Sequence, residues 1–136
     1  MTKQHVLHCK PLILLGLGAG DEGKGAWTDY LSAYFDKNLV VRFNSGPNAA
    51  HNVVANGIHH CFSQFGSGTF NGADTLFSKY TLFEPLAFEN EANVLEPKLG
   101  YSPYKHFYIS REAKLITPFH VLANRLNKKI HNTTGM

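Results

Sequence analysis

Cysteine and long apolar runs are both scarce in this sequence of 136 residues. The two cysteines, Cys9 and Cys61, are too few and too far apart for the disulfide framework of a small secreted protein, so we expect a reducing, cytoplasmic compartment. No apolar run approaches the roughly 18 residues that a membrane helix needs. The longest, Pro11 to Gly18, is followed by Asp21 and Glu22 rather than by a signal-peptide cleavage site. We therefore expect no membrane span and no secretory leader.

Charge of one sign is not concentrated anywhere in the chain. The net charge is +3 with neutral histidines, and the 13 basic residues are scattered. This balance suits small anionic ligands and argues against a DNA or RNA partner. A hydrophobic fraction of 43% is ordinary for a globular protein and excludes wholesale disorder.

Strand and helix signals alternate along the chain, which predicts an α/β fold. Strands are predicted over residues 12–15, 39–43, 76–83 and 106–110, and helices from about residue 23, over residues 84–95 and from residue 117 to about residue 129. The first strand, a glycine-rich loop, the first helix and the second strand predict a parallel pair with a right-handed crossover. Asn56-Gly57 predicts a hairpin within residues 52–62, and Asn71-Gly72 predicts another turn.

The segment from Gly18 to Gly25 reads G-A-G-D-E-G-K-G and fits two nucleotide-binding patterns. One is the phosphate-binding loop G-x-x-x-x-G-K, although Gly25 stands where that loop has Ser or Thr. The other is the dinucleotide fingerprint G-x-G-x-x-G, which is disfavoured because Asp21 and Glu22 would lie beside a pyrophosphate. In a phosphate loop, Asp21 can replace the missing hydroxyl as a Mg²⁺ ligand. A third interpretation is a plain glycine turn before a helix.

Five stretches in the same order resemble the adenylosuccinate synthetase family. They are residues 15–25 (G-x-x-x-G-D-E-G-K-G-K in the family), residues 41–52 (R-[YF]-x-G-G-x-N-A-G-H-[TN]), Ser67-Gly68 (P-S-G), residues 109–120 (L-[IV]-S-x-x-A…P-[YF]-H) and residues 133–135 (T-T-G). The similarity runs from about Leu12 to the last residue. The chain is therefore identified as an N-terminal portion of a member. The resemblance implies a P-loop-like parallel-sheet nucleotide-binding fold, with residues 1–136 forming a single partial domain that leaves this fold incomplete.

The resemblance implies a cytoplasmic, homodimeric ligase that uses GTP and Mg²⁺ to join L-aspartate to C6 of IMP through 6-phosphoryl-IMP. Asp21 is then the base at N1 of the purine and a magnesium ligand together with Ala50, and His51 is the acid that assists GTP cleavage. The implied GTP and phosphate contacts are Gly20, Asp21, Glu22, Gly23, Lys24, Gly25, Ala26, Ala50, His51 and Asn52. The implied IMP contacts are Asp21, Glu22, Gly23, Lys24, Asn48, Ala49, Ala50, His51 and Thr134.

The chemistry of these residue types agrees with the implied roles. A carboxylate near N1 makes the C6 oxygen nucleophilic. Magnesium, a lysine and backbone N–H groups neutralise charge on the transferring phosphoryl group. A histidine with a pKa near ~6.5 can donate to a phosphate oxygen at neutral pH. Asp21, Lys24 and His51 are expected around one pocket at the ends of the first two strands.

Some residues depart from the family pattern. Ala26 replaces a lysine, Ala50 replaces a glycine, and Pro47 stands where a histidine is common. The family's guanine-recognition motif, aspartate-binding loop and cross-dimer contacts lie beyond the T-T-G stretch, so the chain by itself is expected to be inactive.

Two other functions are compatible with the pattern. One is a phage-type enzyme that acts on dGMP and makes 2-aminoadenylosuccinate nucleotides, against which the retained Asp21 argues. The other is a truncated, non-catalytic nucleotide-binding remnant. A metal site at His59 and Cys61 is disfavoured, because two ligands on one strand face do not complete a tetrahedral set.

Overall fold

A computed structural model describes residues 11–36 and 38–131. The helices are α1 (Lys24–Tyr34), α2 (Pro85–Leu99) and α3 (Pro118–His131), and two short 3-10 helices cover Thr69–Asn71 and Pro103–His106. The strands are β1 (Leu39–Ser45), β2 (His51–Ala55), β3 (Ile58–Phe62), β4 (Asp74–Phe83), β5 (Phe107–Ile109) and β6 (Lys114–Leu115). Within these ranges no helix is both long enough and apolar enough to span a bilayer.

Strand β4 is the centre of a parallel sheet. It pairs with β1 over residues 74–81 on one side and with β5 over residues 75–77 on the other, so that Leu76 lies between Val41 and Tyr108. Its last residues pair in parallel with β6. Alternate residues of β4, including Thr75 and Phe77, are buried on one face of the sheet. The parallel pairing confirms the predicted α/β class.

Strands β2 and β3 form a separate antiparallel hairpin. Asn56 and Gly57, which join them, have φ angles of 52° and 78°. Two successive left-handed residues give a turn whose twist matches that of the flanking strands, and Asn-Gly is the pair that adopts it most readily. The predicted hairpin is confirmed.

Helix α2 lies over the hairpin and encloses an aromatic core. The fully buried residues of this core are Val53, Phe62, Phe65, Ala92 and Leu95. Phe88 and Phe107 close it, with ring centroids 4.4 Å apart. The helix extends four residues beyond its predicted end at Leu95. It ends where Gly100, with a φ of 75°, donates its backbone N–H to the carbonyl of Glu96, a left-handed cap that glycine adopts without steric cost.

The predicted strand over residues 12–15 is wrong. Residues 11–17 have no regular secondary structure, and their apolar side chains are exposed, with Ile13 at 82% and Leu15 at 71%. A strand requires a neighbouring strand, and residues 11–17 pair with none of the described strands. The expected crossover through α1 is therefore not formed within the described residues. The apolar composition of residues 12–15 indicates burial but does not specify which strand this segment would pair with.

Candidate functional site: the glycine loop and the start of strand β2

The glycine loop leads into α1 through residues whose backbone has the left-handed conformation. Gly20 and Gly23 have φ angles of 111° and 68°, and the non-glycine Asp21 has a φ of 51°. Gly23 is the N-cap of α1, and no side chain caps the first turn of this helix. Free N–H groups at a helix N-terminus, together with the positive end of the helix dipole, favour an anion.

Gly25 brings this loop against the second family stretch. The glycine is buried, and a Cβ built on it would lie 2.6 Å from Cβ and 3.0 Å from Cα of His51. Only a residue without a side chain permits so close an approach between the first turn of α1 and the first residue of β2. The contact places His51 beside the residue that follows Lys24.

Burial lowers the pKa of the His51 imidazole, and the nearby positive charges of Arg42 and Lys24 lower it further. The negative charge of Glu91 opposes these effects, and the net shift is downward. The ring is therefore neutral at physiological pH, with one nitrogen as a donor and the other as an acceptor. An anion bound nearby favours protonation of the ring.

Glu22 already occupies donors of the loop. Its carboxylate accepts a hydrogen bond from the backbone N–H of Gly18 and lies 2.5 Å from Nζ of Lys24. The hydrogen bond from Lys24 is the largest cause that lowers the pKa of Glu22, followed by that from Gly18. The loop thus binds an anion, which in this conformation is its own side chain.

Asp21 lies exposed in the loop and forms no hydrogen bond or ion pair with the other described residues. Its carboxylate oxygens are hard ligands that suit Mg²⁺. A backbone carbonyl oxygen, such as that of Ala50, is a ligand of the same kind. Among residues 11–36 and 38–131 there is no cluster of three or more His, Cys, Asp or Glu side chains around a metal position. A magnesium ion at this loop therefore fits one carboxylate supplemented by backbone and phosphate oxygens.

The other described residues that were predicted to contact ligands lie in α1, in β2 and in the segment between β1 and β2. Asn48, Ala49 and Ala50 lie in the irregular segment between β1 and β2, with Asn48 and Ala50 exposed. Oδ1 of Asn52 accepts a hydrogen bond from Nε2 of His59 at 3.0 Å. Ala26 lines a shallow depression with Gly23, Trp27 and Tyr30. Thr134 lies outside the described residues.

A buried charged cluster near His51 was not predicted from the sequence. The Glu91 carboxylate accepts hydrogen bonds from the backbone N–H groups of Ser63, Gln64 and Phe65, at 3.2, 2.6 and 3.2 Å. Arg42, buried on β1, donates to the carbonyl of Ser63. The helical spacing could have indicated that Glu91 is buried, because it falls on the same face of α2 as Phe88, Ala92 and Leu95.

The chain was compared with known proteins. Residues 13–136 match the family model described as adenylosuccinate synthetase. The adenylosuccinate synthetase of Porphyromonas gingivalis is 39% identical over 117 residues, which is 85% of this chain and 27% of that protein. The one from Azobacteroides pseudotrichonymphae is 36% identical over 132 residues, which is 93% of this chain and 30% of that protein. The chain thus spans less than a third of the length of these relatives.

Two solved structures have similar folds. The fully ligated adenylosuccinate synthetase of Plasmodium falciparum has a TM-score of 0.70 at 23% identity and covers 83% of this chain, which matches 26% of that one. A cyanophage S-2L succinoaminodeoxyadenylate synthetase, bound to dGMP and dATP, has a TM-score of 0.61 at 17% identity and covers 82% of this chain, which matches 29% of that one. At these identities the likeness establishes the fold.

Proposed function

Because this chain belongs to the adenylosuccinate synthetase family, we propose that it carries the phosphate- and purine-handling part of a GTP-dependent ligase. The ligase joins L-aspartate to C6 of IMP. The observation that carries the proposal is the contact between Gly25 and His51, which joins the two family stretches that are most specific in the sequence. The chain spans 27% of the P. gingivalis relative, so the complete activity belongs to the longer protein.

The proposed roles follow from what each residue can reach. Lys24 and the N–H groups of the loop bind phosphate oxygens and neutralise their charge. Asp21, exposed and without a partner among the described residues, takes the N1 proton of IMP, which makes the C6 oxygen the nucleophile. Asp21 and the backbone oxygen of Ala50 would hold Mg²⁺, whose positive charge stabilises the transferring phosphoryl group.

His51 donates its N–H to a phosphate oxygen of GTP in this proposal. Its lowered pKa means that the free site presents a neutral ring. The incoming negative charge then raises the pKa and strengthens the donated hydrogen bond as charge develops on the leaving phosphate. Asn48, Ala49 and Thr134 are assigned to IMP on the family pattern, and the homodimer and the cytoplasmic location are part of the same proposal.

Action on dGMP is the second candidate. It is supported by the fold similarity to the cyanophage enzyme bound to dGMP. The match to the adenylosuccinate synthetase family, the 39% identity to the P. gingivalis adenylosuccinate synthetase and the presence of Asp21 favour IMP.

The test uses a chimera in which residues 13–136 of this chain replace the matching part of the P. gingivalis relative. We expect the chimera to form adenylosuccinate from IMP, GTP and L-aspartate. Asp21→Asn is expected to lower kcat by at least ~10²-fold, since an amide cannot act as the base. Asp36→Asn is the matched control, because Asp36 is also exposed and has the same φ of 51° but lies after the end of α1.

Three results would contradict the proposal. Activity of the Asp21→Asn chimera within a few-fold of the parent chimera would assign the base to another residue. A preference for dGMP over IMP would support the second candidate. A folded chimera that binds GTP but makes no product with either nucleotide would indicate a non-catalytic remnant.

A further inference from the structure

The Glu22 carboxylate lies where the glycine loop can bind a phosphate. It accepts the backbone N–H of Gly18, and hydrogen bonding from Leu17 also favours its ionised form. The ammonium group of Lys24 lies 2.5 Å from the other carboxylate oxygen. Two backbone N–H groups and a lysine are the donors by which phosphate loops hold an anion. The side chain therefore uses donors that the proposed function assigns to the ligand.

The surroundings of Glu22 indicate that this contact is exchangeable rather than structural. The Lys24 and Glu22 side chains keep 36% and 23% of their surface exposed. The carboxylate lies against Gly16 and Gly18, which have no side chains to lock it in place. No core residue depends on it, since the hydrophobic core lies among α2, the β2–β3 hairpin and β5. Both side chains are only partly buried, so another charged group can reach and replace either partner of the pair.

We propose that Glu22 is an internal competitor that closes the phosphate site when no ligand is bound. An arriving phosphate takes over Lys24 and the N–H of Gly18, and the carboxylate rotates outward because two anions repel each other at this distance. The backbone N–H of Glu22 stays in the loop, so the predicted phosphate contact of this residue is compatible with displacement of its side chain. The inference rests on the proposed function, in that the loop must bind a phosphate.

The test compares Glu22→Gln with the wild-type chain of 136 residues. The amide keeps the size of the side chain and removes its charge, so the closed form loses its ion pair with Lys24. If the closed form holds about 90% of the population, opening it tightens binding by about 10-fold. We expect isothermal titration with inorganic pyrophosphate, without added metal, to give a dissociation constant lower by about this factor. Glu112→Gln, which alters another surface Glu–Lys pair at 3.9 Å, is expected to bind as the wild type does.

A second measurement follows the backbone amide of Gly18 by NMR. In the unliganded Glu22→Gln chain this resonance should move upfield, because the N–H loses its charged acceptor, and added pyrophosphate should move it back downfield. Unchanged or weaker pyrophosphate binding by a folded Glu22→Gln chain would overturn the competitor role and leave the proposed function standing. Failure of both the wild-type and Glu22→Gln chains to bind pyrophosphate, with native circular dichroism, would instead overturn the phosphate site itself.

Discussion

Two glutamate carboxylates in this molecule are held by backbone N–H groups, in opposite environments. Glu91 is 8% exposed and accepts from three consecutive N–H groups of residues 63–65. Glu22 lies at the surface and accepts from Gly18 beside the ammonium of Lys24. In the buried case water cannot replace the carboxylate, so the contact becomes part of the fold. In the exposed case water and other anions compete, so the same chemistry forms a binding site.

The pKa values of the two groups reflect this difference. Burial is the largest single influence on the pKa of Glu91 and raises it, but the His60 ring 3.5 Å away and the hydrogen bonds from Ser63 and Gln64 outweigh burial and leave the pKa lowered. Glu22 also has a lowered pKa, with the hydrogen bond from Lys24 as its first cause. A carboxylate that stays ionised while buried must have nearly all its acceptor capacity satisfied.

The largest loss of folding stability is expected when Glu91 is replaced. Glu91→Ala leaves the N–H groups of residues 63–65 without an acceptor and removes a negative charge that acts on buried Arg42, which costs about 1–3 kcal/mol for each buried donor left unsatisfied. Urea unfolding monitored by circular dichroism measures this loss. Glu89→Ala, on an exposed position of the same helix, is the control and should leave the midpoint unchanged.

A loss as small as that of the control would mean that residues 63–65 are held by something other than Glu91. The same measurement over pH sharpens the comparison. Because the folded-state pKa of Glu91 is lowered, its contribution is present above the ordinary glutamate pKa and is lost as the pH falls through the folded value. The Glu91→Ala chain should lack this part of the acid destabilisation.

A smaller effect is expected at Gly25, where the exposed loop meets the packed part of the molecule. In Gly25→Ala the new Cβ would lie 3.0 Å from Cα of His51, so backbone must move, which costs about 1–3 kcal/mol for overpacking. Gly46→Ala is the matched control, since its Cβ would meet only Leu82 at an ordinary 3.6 Å. Equal unfolding midpoints for the two variants would show that α1 and β2 are not tightly joined.

The smallest effect on stability is expected at Glu22. Glu22→Gln should lower the urea midpoint of unfolding only slightly, because losing the closed form removes no more stability than the roughly tenfold gain in pyrophosphate binding corresponds to. Thermal unfolding provides an independent measurement of the same quantity. A clear destabilisation would remove the contrast with Glu91 and make Glu22 a structural residue.

Local signals in the sequence predicted the elements that local chemistry determines. Asn56-Gly57 predicted the hairpin because its backbone preference alone selects the turn, and Pro85 suited the first turn of α2. Residues 12–15 were predicted wrongly, and the two-residue strand β6 was missed, because pairing depends on distant residues. Glu91 was missed because a charge on an apolar helix face reveals its partners only after folding. The assignment of Asp21, His51 and their neighbours to ligands stays a prediction from the family pattern.

The contact between Gly25 and His51 also constrains how this protein can change over evolutionary time. The two residues belong to different stretches of sequence, yet Gly25 abuts the backbone of His51 as well as its side chain. Replacing the imidazole with another side chain would still leave the Cα in place. The glycine is therefore required by the path of the neighbouring strand, whatever chemistry position 51 performs. A descendant that lost the reaction but kept the fold would be expected to retain Gly25 even after His51 had been replaced by another residue.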